Sequence, residues 1–276
     1  MSVLSVIAKR LVPRSWEKRN YRRAARLVPR APRAATYALA RWCEWRQHIG
    51  ALDSNSYYDR LTQLVMARAL SADSTCIDVG CHTGVILREM MQLAPQGTFL
   101  AFEPLPQLFR ELQQHFDDPR VRLFDVALSD QAGSSRFTHV VSNPGYSGLR
   151  QRAFDRADET VEEIVVRTAV LDDVLAQERV GKIAFIKIDV EGAEYLVLKG
   201  AMGMLRRDRP VIVFEHGLGA ADRYGHGPEQ LYALLRACGL NISLLSDWIV
   251  GRPALSDEQF QRQFHEGMNY YFVAHP

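Results

Sequence analysis

Three carboxylates stand within six residues in the run Ile188-Asp189-Val190-Glu191-Gly192-Ala193-Glu194, and Glu215-His216 follows further along the chain. Carboxylates grouped this closely suit a bound cation or the removal of a proton from a substrate, and a histidine, titrating near neutrality, suits a general base. The same residues have a plainer use. Asp189 can cap a helix, Glu191 and Glu194 favour its positive end, and a histidine beside a glutamate is often a packed interior residue. Upstream, Asp78-Val79-Gly80-Cys81-His82-Thr83-Gly84 places two glycines where a backbone can turn tightly and lie close to a ligand. That turn lacks the Lys-Ser/Thr of a phosphate-binding P-loop and departs from the G-x-G-x-x-G spacing of dinucleotide binders. Glu103, twenty-three residues beyond Gly80, is spaced to accept hydrogen bonds from both hydroxyls of an adenosine ribose. In Asp125-Val126-Ala127, Asp125 either holds an adenine amino group or caps a turn.

These residues need a scaffold that gathers strand ends. Short apolar runs over 75–80, 97–102, 121–127, 183–188 and 210–214 read as strands, and helical periodicity covers 57–70, 85–93, 106–116, 170–176, 193–205 and 228–238. Two further strand-like runs, 241–245 and 268–274, follow. Strands alternating with helices at this spacing predict an α/β, Rossmann-like doubly wound, mainly parallel sheet covered on both faces. In such a sheet ligands sit outside the carboxyl ends of the strands, where every residue named above falls. Two β-like runs, 134–141 and 161–168, interrupt the pattern and predict an inserted β-hairpin with a long polar loop. Tyr146, Ser147 and Arg150 of that loop are candidate lid or acceptor contacts.

The run Ile186-Lys187-Ile188-Asp189-Val190-Glu191-Gly192-Ala193-Glu194, continuing to Val197-Leu198-Lys199-Gly200-Ala201 and Arg209-Pro210-Val211-Ile212-Val213-Phe214-Glu215, resembles the FkbM-type methyltransferase family. So do Ile77-Asp78-Val79-Gly80, Phe102-Glu103-Pro104 and Val126-Ala127-Leu128-Ser129-Asp130, over roughly residues 53–276. The resemblance implies a class I, S-adenosylmethionine-dependent fold over 51–276, with seven strands and an antiparallel strand at the C-terminal end. It implies O-methylation of a hydroxyl on a sugar, glycolipid or polyketide-like small molecule. Carried across, Asp78, Gly80 and Gly84 cradle the methionine end of the cofactor, Glu103 holds the ribose, and Asp125 or the Ala127 backbone lies near adenine. Cys81-His82 depart from the small or neutral residues more usual there, and His82 receives no role.

A hydroxyl acceptor must lose a proton. Asp189 and His216 are the candidate bases, with Glu191 or Glu215 orienting the base or the acceptor. No metal is assigned; a divalent ion bridging Asp189, Glu215 and His216 is the alternative. Two other classes stay open. A nicotinamide oxidoreductase would share the glycine turn and Glu103, although the carboxylate cluster and antiparallel ending argue against it. A non-catalytic module on the same fold would not need the acids at its strand ends.

The net charge of +2 conceals a split: residues 1–50 carry 12 Lys+Arg against 2 acids, and the remainder carries 22 against 30. An acidic mouth suits a cationic cofactor, and without an alternating aromatic and basic stripe on the body nucleic acid is not an expected partner. The basic extension 1–50, broken by Pro13, Pro29 and Pro32, suits peripheral contact with an anionic membrane or a solvated arm, and residues 16–27 suit a basic helix. Its first eight residues are too short and too weakly apolar for a secretory signal. Four cysteines without paired spacing point to a reducing, cytoplasmic setting, peripheral at most to the inner membrane face.

Overall fold

The computed structural model describes residues 33–154 and 158–276. The chain divides into two compact units, Met1–Arg68 and Ala69–Pro276. In the first, α1 (Arg33–His48) precedes α2 (Ser54–Ala69). Asp53 starts α2 as the sequence anticipates, accepting from the Ser56 amide at 2.9 Å and the Ser56 hydroxyl at 2.7 Å. The Trp42 ring of α1 receives the guanidinium groups of Arg46 and Arg60 at 5.4 and 5.7 Å. Residues 1–32, with the basic helix expected over 16–27, lie outside the described residues.

The second unit begins β1 (Thr75–Val79), α3 (Val85–Leu93), β2 (Thr98–Phe102), α4 (Pro106–His115) and β3 (Val121–Phe124). An insertion follows: β4 (Ala127–Leu128), β5 (Gly133–Val140) and β6 (Val161–Ala169). The winding resumes with α5 (Leu171–Glu178), β7 (Ile183–Ile188), α6 (Glu194–Lys199), α7 (Met202–Asp208), β8 (Val211–Glu215), α8 (Pro228–Ala237) and β9 (Asn241–Leu244). The remaining elements are α9 (Leu245–Val250), α10 (Asp257–His265) and β10 (Tyr271–His275).

Seven strands form one sheet in the order β3-β2-β1-β7-β8-β10-β9, with β10 antiparallel to both its neighbours. β1 is buried at all five positions because helices cover both faces, which is why its sequence reads as a continuous apolar run rather than an alternating one. Phe102, Phe214 and Phe272 from three strands, with Leu205 and Leu235 from the covering helices, belong to one buried cluster.

The structure departs from the sequence reading in three places that matter for the site. The expected hairpin is present, but Ala127–Leu128 pairs in parallel with Thr168–Ala169 of β6 and makes it a three-stranded sheet. β3 therefore stops at Phe124 rather than running to Ala127, because the chain leaves the main sheet there. The helix read over 193–205 breaks into α6 and α7: a side chain at Gly200 would overlap the Ser129 carbonyl oxygen, so the backbones touch where the helix turns. Finally, α9 and α10 were not anticipated, although Ser256 and Gln259 form a capping box that starts α10.

Candidate active site

The strand order reverses between β1 and β7, and a cleft of about 270 Å³ opens at their carboxyl ends. Gly80, His82 and Glu103 line one side, Asp189 and Glu191 the other, and Ala127 and Leu128 lie between. Phe137, Pro144, Ser147 and Leu149 of the insertion also border the cleft and roof it. Two of the four non-glycine residues in left-handed conformation among the described residues, His82 and Glu191, line this cleft.

Gly80 lies where the two central strands end side by side. Its φ is 73°, its amide donates to the Phe102 carbonyl at 3.0 Å, and a Cβ there would overlap the Asp189 carbonyl oxygen. Only glycine lets the two turns lie this close. Gly84 has a different reason: the space of its missing side chain is filled by the Phe116 ring and Leu112, and it does not line the cleft. Gly84 sets the start of α3.

Asp78 is 2% exposed, and its Oδ2 has no partner. Burial, opposed by Lys187, pushes its carboxyl up to about 7. Glu103 accepts from the His82 amide through Oε2 and from the Leu105 amide through Oε1, both at 2.9 Å. Each oxygen retains a lone pair for a ligand hydroxyl, and burial raises this carboxyl to about 7 as well. A buried carboxylate oxygen without a partner, a glycine cradle and a partly satisfied Glu103 fit a cationic, ribose-bearing cofactor of the kind the sequence resemblance implies. Asp125 is not part of this set. It lies beyond the end of β3, half-exposed and ion-paired with Arg167, because the chain turns away at Phe124. Ala127, in contrast, lines the cleft.

On the β7 side the carboxylates do converge. Oxygens of Asp189, Glu191 and Glu215 lie within 4.8 Å of one another. Burial alone would raise Asp189, but the Lys187 ammonium and hydrogen bonds from Glu215, Lys187 and Tyr271 hold it down to about 2. Its Oδ2 accepts from Lys187 Nζ at 2.8 Å and from Tyr271 Oη at 2.6 Å. Burial and the Asp189 charge push Glu215 well above the usual carboxylate range, so it stands protonated beside an ionised Asp189. Glu191 is raised to about 8 by burial and by Asp189, with the ion-paired Arg152 opposing. Glu194 is fully buried; its Oε1 accepts from the Val190 and Gly192 amides and holds the turn that aims Glu191.

His216 takes no part in this convergence. It is 1% exposed, stacked on Phe264 at 4.8 Å and on Phe260 at 5.9 Å, with neither ring nitrogen hydrogen-bonded. Burial drives its ring down to about 3, so it stays neutral in the core under α10. A ring in that setting does not exchange protons with a substrate in the cleft, and the bridging ion drawn through His216 loses its third ligand. The plainer reading, a packed histidine, describes what it does.

Lys187, Tyr271 and Arg152 join the site without standing in any of the strand-end motifs. Lys187 carried a signal: a lysine inside the strand Ile-Ala-Phe-Ile-Lys-Ile is out of place unless an acid waits for it. Arg152 carries none, since its contacts with Glu191 and, at 4.4 Å, with the Tyr146 ring depend on how the insertion folds back. That insertion is latched to the loop after β8. The Arg150 amide donates to Tyr224 Oη at 2.9 Å, its guanidinium to the Arg223 carbonyl at 2.6 Å, and the Ala153 amide to Gly219 at 2.7 Å. Tyr146 and Arg150 thus brace the roof, while Ser147 borders the cleft with its hydroxyl occupied by the Val140 amide.

A family model described as Methyltransferase FkbM domain matches residues 78–242, which hold the end of β1, the whole of β7 and every acid of the cleft. The chain belongs to the FkbM methyltransferase family. Among curated proteins, the 2-O-methyltransferase NoeI of Sinorhizobium fredii is 30% identical over 149 residues, half of this chain and 61% of that protein. The 31-O-demethyl-FK506 methyltransferase FkbM of Streptomyces tacrolimicus is 29% identical over 192 residues, 60% of this chain and 72% of that one. The AMB antimetabolite synthetase AmbE of Pseudomonas aeruginosa is 26% identical over 64% of this chain, which spans only 10% of that protein. Among solved structures, a methyltransferase FkbM from Methylobacillus flagellatus KT superposes with a TM-score of 0.46 and 14% identity, over 75% of this chain and 44% of that one.

Proposed function

We propose that this chain transfers a methyl group from S-adenosylmethionine to a hydroxyl of a small-molecule or glycan acceptor, such as a sugar, a glycolipid or a polyketide-like compound. The observation that carries the reading is the acidic cleft at the strand-order reversal, where an ionised Asp189 and a near-neutral Glu191 stand opposite Gly80 and Glu103. The names of two relatives, a 2-O-methyltransferase and a 31-O-demethyl-FK506 methyltransferase, support oxygen as the target.

Asp78, Gly80, Glu103 and the Ala127 backbone would hold the cofactor, which when bound supplies an electrophilic methyl group on a sulfonium. The chain's own contribution is alignment and proton handling. Asp189, held near 2, is a weak base but a strong hydrogen-bond acceptor, and so it orients the acceptor hydroxyl. Glu191, near 8, is better matched to take the proton, a task worth on the order of 10²–10⁴ in rate. Protonated Glu215 steadies Asp189, and the apolar roof of Phe137, Pro144 and Leu149 keeps water from the methyl group. Lys187 and Arg152 already supply cations to the carboxylate cluster, so no divalent metal is required. The acidic mouth disfavours nucleic acid as a substrate.

The basic extension is an address rather than a part of the catalyst. Exposed Tyr37 and Trp45, eight residues apart on α1, support a peripheral site on an anionic membrane at its cytoplasmic face. Among the described residues no helix is long and apolar enough to cross a membrane.

The test is incubation with methyl-labelled S-adenosylmethionine and a panel of glycans, glycolipids and macrolides, read by mass spectrometry, beside calorimetry with S-adenosylmethionine and with NAD. Label transfer to an oxygen, with binding of the first cofactor alone, is expected. Binding of NAD in its place, or label on nitrogen or carbon only, would overturn the proposal.

A further inference from the structure

Lys187 is a lysine buried in one of the two central strands, beside a carboxylate. It is 4% exposed, and its register partner on β1 is Asp78. Its ammonium reaches Asp189 Oδ2 at 2.8 Å and lies 4.8 Å from the centre of the Tyr271 ring. Tyr271 arrives from the antiparallel strand β10, opposite Glu215 in the register, and places its hydroxyl 2.6 Å from the same Asp189 oxygen. Two donors from two strands thus converge on one oxygen of one carboxylate. An ammonium taken out of water costs several kcal/mol unless it is paired and hydrogen-bonded, so a buried lysine in mid-strand marks a position where an anion must stay fixed.

We propose that Lys187 and Tyr271 are positioning residues that clamp Asp189 as a permanent anion. They hold Oδ2, so that the ionised carboxylate orients the acceptor hydroxyl, while proton removal falls to Glu191. The inference rests on the reading of Asp189 as the carboxylate that faces the acceptor. Beyond the clamp, protonated Glu215 also donates to Asp189, and the remaining groups facing it work against its charge or are neutral. Glu215 comes from β8, Glu191 and Glu194 from the turn into α6, Asp78 from β1, and His82 from the loop after β1. His82 is itself held below its usual value by burial, so it brings no standing cation. Without the clamp, four carboxyls compete for protons around Asp189, and a carboxylate that has lost an opposite charge this close gains tenfold to about a thousandfold in proton affinity.

Carbon-13 NMR of the full chain with labelled aspartate carboxyls tests the clamp without turnover, the Asp189 signal being assigned by its loss in Asp189→Asn. In the wild type that signal should stay at the ionised shift down to the lowest pH at which the protein is folded. Lys187→Met should bring its titration into the range around neutrality. Tyr271→Phe, which removes one hydroxyl from a half-buried position, should raise proton affinity by roughly tenfold and keeps the test alive if the lysine variant does not fold. With a working acceptor, both variants should raise the acceptor KM more than they lower kcat and move the acidic limb of the rate profile upward. An Asp189 signal that ignores both substitutions overturns the clamp. Signals that shift as expected in a protein that methylates nothing would uphold the clamp and sink the methyl-transfer reading instead.

Discussion

Replacing His216 with leucine should make the protein more stable, and most of all in mild acid. The ring is buried with two unsatisfied nitrogens, against Phe260 and Phe264, and its backbone amide is separately held by the Tyr270 carbonyl at 2.7 Å. Each buried polar group without a partner costs about 1–3 kcal/mol, so an apolar side chain of similar volume should gain about 1–2 kcal/mol at pH 7. The acid effect follows from the ring's descent from 6.5 to about 3 on folding. Between those values the unfolded chain holds a proton that the folded chain lacks. The stability this group permits is therefore whole above pH 6.5 and drains as pH falls toward 3, by about 2 kcal/mol at pH 5. Leucine removes that loss. Urea unfolding of both proteins at pH 7 and pH 5, followed by circular dichroism, gives the comparison, because the carboxyls that titrate in the same range are common to both. Equal losses between the two pH values would refute the reasoning. So would a variant that folds and binds cofactor yet loses methyl transfer a hundredfold, which would return His216 to the catalytic set.

Asp78 and Glu103, both raised to about 7 by burial, should ionise when a sulfonium cation binds, releasing on the order of one proton at pH 7. Calorimetry in buffers of different ionisation heat should show this for S-adenosylmethionine and less of it for the demethylated product. A heat independent of buffer would count against an acidic cradle. Gly80→Ala should abolish cofactor binding, since the left-handed φ costs a side chain roughly 1–2 kcal/mol and the new methyl displaces the Asp189 turn. Gly225→Ala, with φ 74° and open space around it, should show the backbone cost alone. If Glu191 takes the proton, turnover should rise with pH through about 8 as it ionises. Arg152→Ala, by removing the opposing cation, should move that midpoint higher, and an unchanged profile would exclude Glu191. Treatment with a strong chelator should leave turnover within roughly twofold, because Lys187 and Arg152 already balance the cluster.

The parallel sheet was legible because burial on both faces writes itself as short apolar runs, and β7 and α3 fall on the residues the pattern assigns. The strand-end acids were legible for a related reason: a carboxylate that closes an apolar run has little packing role. Spacing could not say which of them share a cleft. Asp125 and Glu103 look alike as residues closing apolar runs, yet one pairs with Arg167 on the surface and the other holds two amides in the interior. The difference arises two residues later, where Ala127 leaves the main sheet for a long-range partner in β6. His216 misled for the converse reason, since what covers it is Phe260 and Phe264 of a helix more than forty residues away in sequence. Arg152 and Tyr271 reach the site through loop folding and an antiparallel return, and no local pattern encodes either.

The three-stranded sheet shares no hydrogen-bonded strand with the seven-stranded one. The roof is therefore a replaceable part. It is anchored at one end by the pairing of β4 with β6 and at the other by the Arg150 and Ala153 latches, while the acids of the cleft floor sit at strand ends of the larger sheet. Changes in the length or lining of residues 133–168 can alter which molecule enters without moving Gly80, Glu103 or Asp189. Such a division leaves the floor of the cleft unchanged when its ceiling varies.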